Sequence, residues 1–103
     1  MNFLINLSNL IDYVGGGLRA YVEGENVLKA NHLIYVGIIF KKVEEIKIMS
    51  LCLKSSDLFG PPHEINLVID IANRINISCI CSCKAGQSGK CKHSVALLMH
   101  LTR

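Results

Sequence analysis

Cys81-Ser82-Cys83, a seven-residue gap and Cys91-Lys92-His93 form a C-x-C…C-x-H array near the end of the chain. Three soft thiolates and one imidazole are the donor set of a tetrahedral structural Zn2+. In extended backbone, residues two apart point to the same side, so Cys81 and Cys83 can grip one ion from a strand end. Residues two apart on a helix point nearly opposite ways, so Cys91 and His93 cannot both ligate from inside a regular helix. The spacing therefore predicts Cys91 just before a helix and His93 in its first turn. Four protein donors close the coordination shell, which suits a structural ion and not a hydrolytic one that keeps a position for water. Gly86 and Gly89 permit the chain reversal that returns Cys91 to the ion. Residues 94–102 contain no Gly or Pro, and Val95, Leu98 and Met99 recur at helical spacing, which predicts a short amphipathic helix.

This wording resembles the SWIM-type zinc finger, a C-x-C…C-x-H pattern carried on a strand-loop-helix unit. Cys81-Ser82-Cys83-Lys84-Ala85-Gly86 and Gly89-Lys90-Cys91-Lys92-His93, followed by Ala96-Leu97-Leu98, look like the version found beside YqaJ-like viral recombinase domains. The resemblance covers residues 75–103 and implies Cys81, Cys83, Cys91 and His93 as metal ligands. The upstream segment carries no diagnostic motif. Cys79 precedes the array at the same two-residue step, so a register in which Cys79 and Cys81 bind and Cys83 is spare remains open; the family wording favours Cys81 and Cys83. Otherwise Cys79 reads as an inward strand thiol. Cys52, in an apolar run, reads as core. His32 and His63 fall near strand starts and are expected to reach solvent. His100 lies two turns beyond His93, too far along to share the ion.

Around this unit the chain reads as α+β: a small antiparallel sheet of about four strands, with an N-terminal helix and the zinc-bound unit packed at one end. Residues 1–17 are expected to hold the helix, with Phe3, Leu7, Leu10, Ile11 and Val14 on one face, and a Gly15-Gly16-Gly17 hinge or linker. Residues 18–74 read as strands packed with the finger, and residues 75–103 as the finger itself. Leu18 to Val22 alternates weakly and suggests a short first strand. Leu33 to Lys41 reads as a buried strand. Glu45 to Lys54 is a further strand with a phase slip near Met49, and residues 55–62, ending in two prolines, form a loop. Glu64 to Ile71 alternates on Ile65, Leu67, Ile69 and Ile71. After a turn at residues 72–74, Ile75 to Cys81 is its antiparallel partner.

With 103 residues, half of them hydrophobic, the chain suits one folded domain. The net charge of +3 is mild, and three thiolates with one divalent ion take it to about +2. The first residues lack the basic start of a signal peptide, and the longest apolar run, residues 33–40, is too short to cross a bilayer. Five cysteines at metal-ligand spacing suit a reducing compartment, either cytoplasm or nucleus.

The resemblance implies a non-enzymatic zinc module that binds DNA within a larger DNA-processing protein. Lys84, Lys90 and Lys92 flank the ligands and Arg103 ends the helix, placing cations where phosphates could sit. The same lysines would equally keep an exposed loop solvated. Residues 60–103 hold no Phe, Tyr or Trp for base stacking, and the helix offers no Arg, Asn or Gln series for base readout. The rival expectation is a protein-docking module without nucleic acid, favoured if Leu97, Leu98 and Leu101 form an exposed patch. No membrane or small-molecule partner is expected. The eight carboxylates are scattered, without a nuclease-like constellation. Metal removal is expected to melt residues 81–103 first and leave the upstream strands partly protected.

Overall fold

The structure, a computed structural model, describes residues 5–15, 18–54, 57–72, 75–84 and 90–103. Helices α1 (Leu7–Val14) and α2 (Leu18–Lys29) precede strands β1 (Leu33–Lys41), β2 (Glu45–Cys52), β3 (His63–Asp70) and β4 (Asn76–Cys81); α3 (Lys92–Thr102) follows the ligand loop. The strands pair antiparallel in the order β1-β2-β3-β4, so the expected α+β class is the one observed. The glycine-bearing loop over residues 85–89, the second and third glycines of the 15–17 run, residues 55–56, the turn at 73–74 and the first four residues lie outside the described part.

On β3 the alternation read from sequence is the burial pattern, with Ile65, Leu67 and Ile69 inward and Glu64 and Asn66 outward. The phase slip expected near Met49 is absent. Ile46, Ile48, Ser50 and Cys52 are all buried on one face of β2, and the β2–β3 register is unbroken. Ser50 disguises the period. Its buried hydroxyl donates to the Tyr35 carbonyl at 2.7 Å, so a polar residue occupies a core position at little cost. Cys52 is fully buried, as a core residue should be.

Three readings are corrected. Leu18 to Val22 is the first part of helix α2, not a strand. Five residues were too short a window. Over twelve, Ala20, Gly24, Val27 and Leu28 follow helical spacing, and Arg19 pairs with Glu23 one turn on at 2.6 Å. Strand β1 is not buried: it is a sheet edge, with Ile34, Tyr35, Ile38 and Ile39 half exposed. On α1, Leu10 and Val14 are buried while Leu7 and Ile11 face solvent, and the helix begins at a reciprocal cap in which Asn6 and Asn9 each accept the other's backbone N–H.

Helix α3 is not amphipathic. Every residue from His93 to Met99, and Leu101, is buried, so α3 runs through the middle of the core between α1, α2 and the sheet. The patch of Leu97, Leu98 and Leu101 that would have favoured docking is therefore fully covered. Gly24 of α2 makes this burial possible: a Cβ there would lie 3.0 Å from Val95 Cγ1 and 3.3 Å from the Ala96 backbone nitrogen, so the helices meet backbone to backbone.

Candidate metal centre

Strand β4 carries the first ligand pair. Its last residue, Cys81, sits opposite Ile65, and the pairing continues past the strand end: the Ser82 N–H donates to the Glu64 carbonyl and the Glu64 N–H to the Ser82 hydroxyl, both at 3.0 Å. Beyond that clamp the chain bends at Ser82 and Cys83, and the Cys83 thiol joins that of Cys81 in one group. The second pair is placed by the start of α3. Cys91 is the N-cap, with extended backbone, and its Sγ accepts from the Ser94 N–H at 3.4 Å; His93 lies in the first turn.

The four ligand atoms of Cys81, Cys83, Cys91 and His93 lie within 4.8 Å of one another, a cluster that could hold a metal ion. His93 Nδ1 is 3.8 Å from Cys81 Sγ and 3.9 Å from Cys91 Sγ. A tetrahedron with metal–sulfur bonds of about 2.3 Å and metal–nitrogen bonds of about 2.1 Å separates its donors by roughly 3.6–3.8 Å; the two His93 separations match this edge, and the four-atom group, up to 4.8 Å across, would contract slightly onto an ion. Cys81, Cys91 and His93 are buried and Cys83 is half exposed, with no water position required. Cys79, on the same strand face, falls outside the four-atom group and is buried near Ser94 instead.

The thiols divide by environment. Burial pushes Cys52 and Cys79 up to about 11, so both are neutral, unreactive thiols near neutral pH. Cys91 is driven far the other way by the hydrogen bond from the Cys81 thiol, then by His93 and by the Ser94 hydroxyl and N–H. Cys81 is raised correspondingly, by the same hydrogen bond and by burial. Two thiols in contact share one proton between them, which a metal ion bound there would displace.

The structure also brings together residues that the sequence reading left apart. His63, read as reaching solvent, is half-buried at the start of β3 with its ring centroid 4.6 Å from that of His93. Burial and His93 lower its basicity. The Ser94 hydroxyl lies 3.4 Å from Cys91 Sγ; its place three residues after a helix-capping cysteine was the available signal. Around the mouth of the site, Lys84, Lys90 and Lys92 border one depression together with Arg19 and Glu23 of α2. Arg103 does not join them. It pairs with Glu25 at the far end of α3, ten residues from His93 and so about 15 Å along the helix. His100 is exposed and His32 half-buried, both outside the four-atom group. Among the described residues no helix is long and apolar enough to cross a membrane. Comparison with protein-family models, curated proteins and solved structures gave no match, so the likeness to the SWIM-type finger rests on the motif residues and their arrangement.

Proposed function

We propose that the chain is a non-enzymatic, SWIM-type zinc module that contacts DNA phosphates through Lys84, Lys90 and Lys92, as part of a larger DNA-processing protein. The observation that carries this reading is the juxtaposition of a closed Cys3His donor set with a cationic rim. Thiolate-rich tetrahedral donors favour Zn2+ over the hard cations, and a filled shell leaves no position for an activated water. The zinc then acts as a structural tie that fixes the lysine-bearing loop ends against α2. Arg19 adds a further cation to the rim and Glu23 offsets one charge, which suits loose phosphate contact and not a tight anion pocket.

The test is the salt dependence of binding to a labelled generic DNA duplex by zinc-loaded protein. Three phosphate contacts give a slope of about −2.7 in log K against log salt. Changing Lys84, Lys90 and Lys92 to Glu should abolish binding while zinc content stays at one ion per chain. Absence of binding at low salt, or binding indifferent to the triple change, refutes the phosphate contact and favours a protein partner.

A further inference from the structure

We propose that β1 is a self-association edge: two copies of the chain pair their β1 strands antiparallel about Gly37, joining two four-stranded sheets into one. This is independent of the metal and of DNA. Three observations lead to it. First, β1 ends the sheet, and among the described residues no other element pairs with its outer side. An edge strand presents a row of backbone donors and acceptors that another strand can satisfy. Second, the strand lacks the usual deterrents at its centre. From Leu33 to Phe40 it has no charge and no proline. Its two register shifts, between Leu33 and Tyr35 and between Ile38 and Phe40, leave Tyr35 to Ile38 regularly paired.

Third, the helix layer leaves β1 incompletely covered. Val36 and Ile38 lie opposite Ser50 and Ile48, two fully buried residues, so both point to the helix side of the sheet. Yet Val36 is only half-buried and Ile38 is 45% exposed. In a sheet that stops here, the core is open at its edge.

The commitment to a second copy follows from the order of residues. Antiparallel pairing about Gly37 sets Val36 against Ile38 of the other copy, twice, on the helix side. Tyr35 and Ile39 of the two copies fall close together beyond this central pair, Ile39 lying at a register shift of β1. These are branched and aromatic pairs of the kind that stabilise sheets. Lys41 falls opposite Leu33, so the strand's own charge meets no like charge. Gly37, at the two-fold axis, lies under its own Tyr35 side chain, which fills the place a Cβ would take. The contact is isologous and closes after two copies, which spares the chain open-ended polymerisation. One added strand pair is a small interface, below about 1,200 Å2, so the dimer should dissociate in the micromolar range.

Sedimentation velocity of zinc-loaded protein, across micromolar to sub-millimolar concentrations, tests this. The expected result is a reversible shift from one chain mass to two. Ile38→Lys and, separately, Ile39→Lys should each hold the protein at one chain mass, with zinc content and far-UV circular dichroism unchanged; Ile39 is 57% exposed, so a lysine there is tolerated by the monomer. Gly37→Cys made together with Tyr35→Ala, which clears the side chain that covers Gly37, should give a disulfide-linked dimer that Tyr35→Ala alone does not, because directly opposed strand residues lie within disulfide reach. A monomer at every concentration overturns the proposal and leaves the edge to a foreign strand or to solvent. A dimer that survives both lysine variants overturns it in favour of another face.

Discussion

Removing the metal should unfold the whole domain in one step, because the ligand-bearing helix is also the centre of the core. The perturbation is a strong chelator at neutral pH. Val95, Leu97, Leu98, Met99 and Leu101 of α3 are all buried. At about 1.5–3 kcal/mol each, their burial is worth roughly 7–15 kcal/mol, and partial burial in the unfolded chain lowers this somewhat. A domain of this size has a total stability of about 5–15 kcal/mol, so detaching α3 costs as much as unfolding everything. This displaces the expectation that residues 81–103 melt first. Metal binding to such sites contributes about 10–16 kcal/mol in finger peptides, and its loss should be felt equally by sheet and helix. Amide hydrogen exchange with and without chelator is the assay. Ile48 and Leu67, at the sheet centre, should lose protection in parallel with Val95 to Leu101. Unprotected exchange in α3 beside an intact β2–β3 ladder would refute the reasoning.

Three further outcomes are expected. Gly24→Ala should destabilise the protein in chemical denaturation: overpacking against Val95 and the Ala96 backbone costs about 1–3 kcal/mol, against a gain of up to about 1 kcal/mol in helix propensity. Ser94→Ala, which removes the hydroxyl beside Cys91 Sγ, should weaken metal affinity about 10–100-fold in competition with a chromophoric chelator, with the four ligands retained. In zinc-loaded protein, Cys52 and Cys79 should resist alkylation at pH 7–8 and react faster as the pH approaches 11, since burial holds both as neutral thiols below that point; ready alkylation of either at pH 7 contradicts the burial.

The sequence revealed those parts of the fold where one local pattern matched one environment. Ile65, Leu67 and Ile69 alternate because β3 has one wet face, and Cys91 caps a helix because only there can side chains two residues apart face one point. Misreadings arose where tertiary contacts set the environment. Ser50 is buried by a hydrogen bond to a neighbouring strand, which broke the visible period of β2. Gly24, a weak helix former, sits mid-helix because α3 approaches there. Helix α3 is covered on all sides from His93 to Met99, which a search for one apolar face cannot anticipate. Within the site, the C-x-C…C-x-H spacing located the four donors, whereas His63 and Arg19 reach it only through the sheet register and the packing of α2.

The most direct test of the central claim is titration of metal-free protein with Co2+, followed by absorption. One equivalent should produce the intense visible bands and thiolate charge transfer of a tetrahedral Cys3His site. Cys83→Ser should abolish or shift them, and Cys79→Ser should leave them unchanged. Weak octahedral bands, no stoichiometric endpoint, or loss of the spectrum in Cys79→Ser but not in Cys83→Ser would contradict the assignment.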